Sequence, residues 1–93
     1  MNVILKVIRI ANELKPKDVA IKTGLKLGTI YKIESGEANI TFDTLAIYAK
    51  AFNMNIADIY VLIELQEQGA TSQEILDIYL EHIYLNKPLY RAS

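Results

Sequence analysis

Lysine side chains cluster in one short stretch of the chain, between residues 15 and 32. The members of this cluster are Lys15, Lys17, Lys22, Lys26 and Lys32. Ammonium groups neutralise phosphate oxygens, which is the electrostatic part of nucleic-acid binding. Residues 1–58 hold eight basic and six acidic side chains (net +2), whereas residues 59–93 hold two and five (net −3). With a total charge of −1, this pattern favours a local phosphate-binding face and excludes a strongly basic coat.

Side chains suited to other chemistry are scarce. The chain has 93 residues, no cysteine and one histidine, His82. The lack of cysteine removes thiolate nucleophiles, thiolate metal ligands and disulfides, and it fits a reducing cytoplasm. Because no second histidine accompanies it, His82 is expected to be a partly buried helix residue and not a metal ligand. We expect that the protein is not an enzyme and binds no cofactor. The sequence identifies no site for a small-molecule ligand.

Apolar residues recur at helical spacing along the whole chain, without the alternation typical of strands. In the first segment, one row consists of Val3, Val7, Ile10 and Leu14, and a second of Ile4, Ile8 and Ala11. This helix is therefore either central to a small core, or it uses its second row to contact the C-terminal segment or a second subunit. The predicted helices span about 2–14, 16–23, 27–34, 42–52, 56–68 and 72–86. The fold is expected to be all-α, and the first helix is too short and too charged to be a membrane anchor.

Two short helices joined by a tight turn at Gly24 have the geometry of a helix-turn-helix. The surrounding residues are Leu14–Ala20, Thr23-Gly24-Leu25 and Thr29–Glu37, followed by Thr44-Leu45, Ala49–Phe52 and Ile56–Ile59. In order and spacing this stretch, about residues 4–60, resembles the Cro/C1 (Xre) family of DNA-binding domains. The resemblance implies a lambda-repressor-like helix-turn-helix domain of about five helices at residues 1–60. Residues 61–93 would then add a C-terminal helical extension used for packing or dimerisation.

The resemblance also implies which residues meet DNA. Base-proximal positions fall at the start of the third helix: Lys26, Leu27, Gly28, Thr29, Tyr31 and Lys32. Phosphate-binding positions are Lys15, Lys17, Lys22 and Asn39. The family often pairs an arginine of the first helix with a glutamate that ends the third, and here these residues are Arg9 and Glu34. Lys32 is the expected donor to guanine, and Leu27 the expected contact for a thymine methyl group.

Three positions depart from the family's pattern. Pro16 stands where a glutamine is common, so the contacts of that side chain are lost. Leu27 and Gly28 stand where Gln, Arg or Ser are common, and neither side chain can hydrogen-bond to a base edge. We therefore expect readout to depend on DNA shape and on two-fold symmetry.

The C-terminal extension is rich in apolar residues at helical spacing. Hydrophobic residues make up 52% of the chain, more than a single small core is expected to bury. We expect a homodimer whose interface consists of Ile59, Leu62, Ile63, Ile75, Ile78, Tyr79 and Ile83, helped by one apolar row of the first helix. In the alternative, the extension is a helical hairpin that closes the core of a monomer.

Together these features predict a cytoplasmic, sequence-specific regulator of transcription. It would be a dimeric repressor or autoregulator that binds an inverted repeat in double-stranded DNA through the helix at about 27–34. The alternative belongs to another class: a protein-interaction module that keeps the fold but sequesters another regulator without binding DNA. Salt-dependent binding to a palindromic duplex distinguishes the two.

Overall fold

The computed structural model describes residues 3–89, and this part of the chain is all-helical, without strands. Its six helices are α1 (Ile4–Ala11), α2 (Pro16–Thr23), α3 (Leu27–Ser35), α4 (Phe42–Ala51), α5 (Ile56–Glu67) and α6 (Ser72–Leu85). The all-α prediction is therefore confirmed. Within residues 3–89, no helix has the length and apolar character needed to cross a bilayer.

Local sequence explains where most of these helices begin. Thr41, Asn55 and Thr71 each accept a backbone hydrogen bond from the first turn of the helix that follows, at distances of 3.2, 3.0 and 3.1 Å. The carboxylate of Glu74 accepts the Thr71 N–H at 3.0 Å, which completes a capping box. Gly24 ends α2 in the left-handed conformation, with a φ of 77°, as predicted for this glycine.

The first helix is shorter than predicted, because it ends at Ala11 and not at 14. Glu13 adopts a left-handed φ of 56°, which cannot continue a helix. The side chain of Asn12 donates to the Ile8 carbonyl at 2.7 Å, in addition to the backbone N–H of Asn12 at 3.2 Å, and so reinforces the end of the helix. The turn is thus stabilised by a polar side chain, which apolar spacing alone does not indicate.

Both apolar rows of α1 are largely covered by the same chain. Ile4 and Ile8 are fully buried and Val7 is nearly so, because α1 packs against α3, α5 and α6. Ile10 is the exception, with 45% of its surface exposed. The structure combines the two arrangements considered for this helix: α1 lies at the centre of the core, and the C-terminal helix α6 is its most extensive neighbour.

The predicted dimer interface needs correction, because most of its residues lie inside the single chain. Ile59, Leu62, Ile75 and Tyr79 belong to the buried core, and Ile63 and Ile78 are half-buried against it. Only Ile83 of the predicted set is exposed. The reason is that α6 is apolar on more than one side, so its spacing did not reveal which side faces α1 and α5.

The core is continuous across the predicted boundary between residues 60 and 61, which falls within α5. The chain after α6 also returns to α5: the buried carboxylate of Asp58 accepts a hydrogen bond from the Leu89 N–H at 2.9 Å. Residues 61–89 are therefore packed onto the rest of the chain. Their assignment as a dimerisation element stays a prediction.

Candidate nucleic-acid interface

The turn between α2 and α3 is held by one threonine. Thr23 donates from Oγ1 to the Val19 carbonyl at 2.7 Å and accepts the Leu25 N–H at 3.3 Å. Its side chain thus connects the last turn of α2 to the residue beyond Gly24, whose left-handed conformation reverses the chain. The sequence pattern included Thr23 only as part of the stretch around Gly24 and did not indicate this role in the turn.

Two buried isoleucines decide which face of α3 meets solvent. Ile30 is fully buried and Ile33 is 3% exposed, so they anchor the helix to the core. Leu27 and Tyr31, on the flank of this buried side, are 37% and 57% exposed. A Cβ atom at Gly28 would have no neighbour within 4 Å among the described residues.

Most of the predicted base-proximal residues share this open surface. The exposed ones are Lys26, Leu27, Gly28, Tyr31 and Lys32, whereas Thr29 is half-buried. Lys26, Leu27, Gly28 and Thr29 thus lie at the start of α3, whereas Lys32 lies in its last turn.

The first turn of α3 has no side-chain cap among the described residues. Lys26 occupies the N-cap position, and its side chain cannot accept a hydrogen bond from the helix. At the start of α2, by contrast, the Asp18 carboxylate accepts the Lys15 N–H at 2.8 Å. The N-terminus of α3 thus combines unsatisfied backbone donors, the positive end of the helix dipole and a lysine. This combination suits phosphate oxygens.

An ion pair connects α1 to the far end of α3. Arg9 donates to Glu34 through Nε, at 2.8 Å from Oε2, and through Nη2, at 2.9 Å from Oε1. Only 14% of the Arg9 side chain and 10% of the Glu34 side chain are exposed. Arg9 also donates from Nη1 to the Leu14 carbonyl at 3.0 Å, immediately before α2. The pair implied by the resemblance is present, and it joins three parts of the domain.

Tyr48, which no sequence pattern singled out, lies close enough to the Arg9–Glu34 pair for both charges to affect its pKa. Tyr48 is fully buried, and its hydroxyl has no hydrogen-bond partner within residues 3–89. Burial raises the pKa of Tyr48 to about 12; the negative charge of Glu34 also raises it, and Arg9 opposes them. The ring stacks on Phe52, with centroids 6.0 Å apart. Sequence spacing gave no signal for an unpaired hydroxyl.

The residues predicted to bind phosphate have different environments. Lys15, Lys17 and Asn39 are exposed, at the start of α2 and in the loop after α3. The ammonium of Lys22 lies 5.7 Å from the centre of the Phe52 ring, a cation–π contact with the end of α4. The structure thus gives Lys22 a packing contact that its prediction as a phosphate ligand did not include.

The lone histidine lies away from α2 and α3. His82 is half-buried on α6, and its Nδ1 contacts the Lys87 carbonyl. Among residues 3–89, no group of three or more His, Cys, Asp or Glu side chains is arranged to hold a metal ion.

Comparison with known proteins identifies the family. Neither the curated proteins nor the solved structures gave a match. A family model described as the Cro/C1-type HTH DNA-binding domain matches residues 4–64, which contain α1 to α4 and most of α5. The chain therefore belongs to the Cro/C1-type helix-turn-helix family and is a DNA-binding regulator of transcription.

Proposed function

We propose that the chain acts as a homodimeric repressor or autoregulator that binds an inverted repeat through α3. The observation that carries this proposal is the surface at the start of α3. It is exposed, has Lys26 at the N-cap position and lacks a side-chain cap within the described residues. Ile30, Ile33 and the Arg9–Glu34 pair fix the helix behind it. A recognition helix enters the major groove with its N-terminal residues.

Base readout by this surface is expected to be sparse. Lys32 is the proposed donor to guanine O6 and N7, and Leu27 the proposed contact for a thymine methyl group. Gly28 has no side chain, and the open space around it leaves room for the DNA backbone. With few hydrogen bonds to bases, the ratio of specific to non-specific binding should lie near the low end of about 10³–10⁷.

Phosphate contacts are proposed for the exposed Lys15, Lys17 and Asn39, and for Lys26 at the start of α3. Lys22 is left out of this set because its ammonium lies over Phe52. Two copies related by a two-fold axis would present two α3 helices to successive major grooves. Half-site centres should then lie about 10–10.5 base pairs apart. Such a protein would act in the cytoplasm, in contact with the cell's DNA.

Selection of DNA from a random pool, followed by titration at several salt concentrations, tests this function. The selected site should be an inverted repeat that binds more tightly than a scrambled duplex at every salt concentration. Lys32→Ala should cost about 1–3 kcal/mol and relax the preference at one base pair. Lys17→Ala should weaken binding to all sequences equally and reduce the salt slope by about one unit.

Lys50→Ala provides a matched control, because Lys50 is an exposed lysine near the end of α4, outside the proposed interface. It should leave both the affinity and the salt slope unchanged. Equal binding of the selected and scrambled duplexes at every salt concentration, or no binding, would overturn the proposal.

The alternative function is a module that keeps this fold and sequesters another regulator. The observation in its favour is the apolar character of exposed side chains around α2 to α4. Ile21, Tyr31 and Phe42 are 76%, 57% and 61% exposed. This function requires the three side chains to form one patch, because contiguous exposed apolar patches mark protein interfaces. This function predicts no salt-dependent binding to any duplex.

A further inference from the structure

An apolar surface of α1 and α6 remains uncovered on the side of α6 that faces away from α5. We call it the α1–α6 face, and it consists of Ile10, Leu76, Leu80 and Tyr84. Ile10 is 45% exposed and Tyr84 is 81% exposed, while the two leucines are half-buried. These four residues line one shallow cleft together with Ala11, Asn12 and Glu13. The contiguous cleft distinguishes them from scattered exposed apolar residues.

The two ends of this face along α1 carry opposite charges. Lys6 lies one helical turn before Ile10 on the same side of α1, and both residues are exposed. Glu13 is also exposed and lines the cleft at the other end, next to Tyr84. Along α1, the face therefore has a positive end, an apolar centre and a negative end. A two-fold rotation about its centre exchanges the two ends.

We propose that a second copy of this chain docks on the α1–α6 face. The two-fold axis passes near Ile10, so that α1 lies antiparallel to its counterpart. Lys6 then lies beside the partner subunit's Glu13, and the same ion pair forms a second time across the axis. The apolar centres cover each other, as in an isologous interface. The partner is a second copy because the charge pattern of the face is complementary to itself.

This inference rests on the proposed function and identifies the surface that forms the dimer. Neighbouring residues of α1 serve the two surfaces: Ile10 belongs to the docking face, whereas Arg9 binds Glu34 at the end of α3. Because α1 is a single helix of eight residues, the dimer axis and the recognition helix are connected by one short, packed element. The distance between the two α3 helices is therefore determined by how the two α1 helices dock.

Charge exchange at the two ends of the face tests the arrangement, with oligomeric state measured by sedimentation equilibrium. In the Lys6→Glu dimer, the carboxylate at residue 6 lies beside the partner subunit's Glu13, so two like-charge contacts replace the two ion pairs. In the Glu13→Lys dimer, the ammonium at residue 13 lies beside the partner subunit's Lys6, with the same result. Either change should raise the dimer dissociation constant about tenfold. The double variant Lys6→Glu/Glu13→Lys should restore it.

Mixing the two single variants distinguishes contacts between chains from contacts within one chain. A heterodimer of one Lys6→Glu chain and one Glu13→Lys chain has opposite charges in contact at both ends of the interface. The mixture should therefore form heterodimers as tightly as the wild type forms homodimers. If Lys6 interacted with Glu13 of its own chain, mixing would restore nothing. That result would overturn the proposed arrangement.

The apolar centre is tested with a matched pair of exposed residues. Tyr84→Glu, in the cleft, should raise the dissociation constant at least as much as the charge changes. Ile21→Glu, on α2 and similarly exposed, should leave it unchanged. Thermal melts verify that both variants fold. A wild type that is monomeric at tens of micromolar, or equal effects of the two variants, would overturn the inference.

The interface and the proposed function fail in different ways. Binding to a duplex with one half-site is measured in parallel, since a monomer can occupy it. Loss of dimerisation with half-site binding retained supports both proposals. If the dimer responds to the charge exchange as expected but binds no duplex, the proposed function is wrong and the proposed interface is supported. If DNA is bound but the charge variants remain dimeric, the function stands and the interface fails.

Discussion

Asp58 and Leu89 are 31 positions apart in sequence and joined by a hydrogen bond of 2.9 Å from the Leu89 N–H to the Asp58 carboxylate. Asp58 is 3% exposed, and Leu89 packs against the edge of the core. Asp58 is also the acidic residue in the first turn of α5, where it interacts favourably with the helix dipole. In the folded chain it also holds the segment that follows α6.

We expect Asp58→Ala to lower the free energy of unfolding by about 2 kcal/mol, because a hydrogen bond to a buried charged acceptor is lost. Urea denaturation measures this change. The Leu89 amide should also exchange its hydrogen faster. Asp43→Ala serves as the control, since Asp43 is an exposed acid in the first turn of α4. Similar losses from both variants would show that only the helix dipole matters at residue 58.

Removal of one partner of the Arg9–Glu34 pair should be costly. Glu34→Gln leaves the nearly buried guanidinium of Arg9 without its counter-charge, and we expect a loss of about 3 kcal/mol. Glu37→Gln makes the same chemical change at an exposed site and should cost less than about 0.5 kcal/mol. Thermal melts compare the two. An unchanged melting temperature for Glu34→Gln would mean that the pair does not stabilise the fold.

Two buried tyrosines should respond in opposite ways to loss of their hydroxyl groups. The hydroxyl of Tyr48 has no partner within residues 3–89, so Tyr48→Phe should leave stability unchanged or raise it. The hydroxyl of Tyr79 accepts a hydrogen bond from Asn12 Nδ2 at 3.1 Å, and Tyr79→Phe should cost about 1 kcal/mol. Urea denaturation of both variants tests the contrast. A destabilising Tyr48→Phe would reveal a partner such as a buried water molecule.

Stability should fall at alkaline pH, partly because of Tyr48. Burial raises its pKa from 10.0 to about 12, so the unfolded chain loses this proton before the folded chain does. The folded state then binds more protons between these values, and the free energy of unfolding decreases as pH rises through them. Below pH 10.0 the contribution of Tyr48 is complete.

The Tyr48→Phe variant should therefore show a shallower decline across this window than the wild type. Some decline should remain, because burial also raises the pKa of Tyr79. Urea denaturation at successive pH values measures both slopes. Identical slopes for wild type and variant would contradict the assignment to Tyr48.

Lys22 should affect stability more than DNA binding. Its ammonium lies over the Phe52 ring, and a cation–π contact at an exposed position contributes about 0.5–1 kcal/mol. Lys22→Ala should therefore lower the melting temperature and leave the salt slope of DNA binding unchanged. Lys17→Ala should leave the melting temperature unchanged and reduce the salt slope. A reduced salt slope for Lys22→Ala would show that Lys22 contacts DNA phosphate, and would contradict this prediction.

The sequence by itself determined the local structure of this protein. Thr41, Asn55 and Thr71 mark helix starts and Gly24 marks a helix end, because caps and turns depend on hydrogen bonds and φ preferences within a few residues. The positions at the start of α3 came from the family resemblance, and the burial of Ile30 and Ile33 leaves most of them exposed. The Arg9–Glu34 pair was available only through the family resemblance, since nothing near either residue indicates its partner.

Tertiary structure alone decided which apolar residues are covered. On α6, Ile75 and Tyr79 are buried, whereas Leu76 and Leu80, one position further along, line the open cleft. Both sets have helical spacing and similar hydrophobicity, so the pattern could not rank them. The choice depends on contacts with α1 and α5, which lie far away in the sequence. The burial of the Tyr48 hydroxyl, the Lys22–Phe52 contact and the Asp58–Leu89 hydrogen bond arise in the same way, from neighbours that only the folded chain brings together.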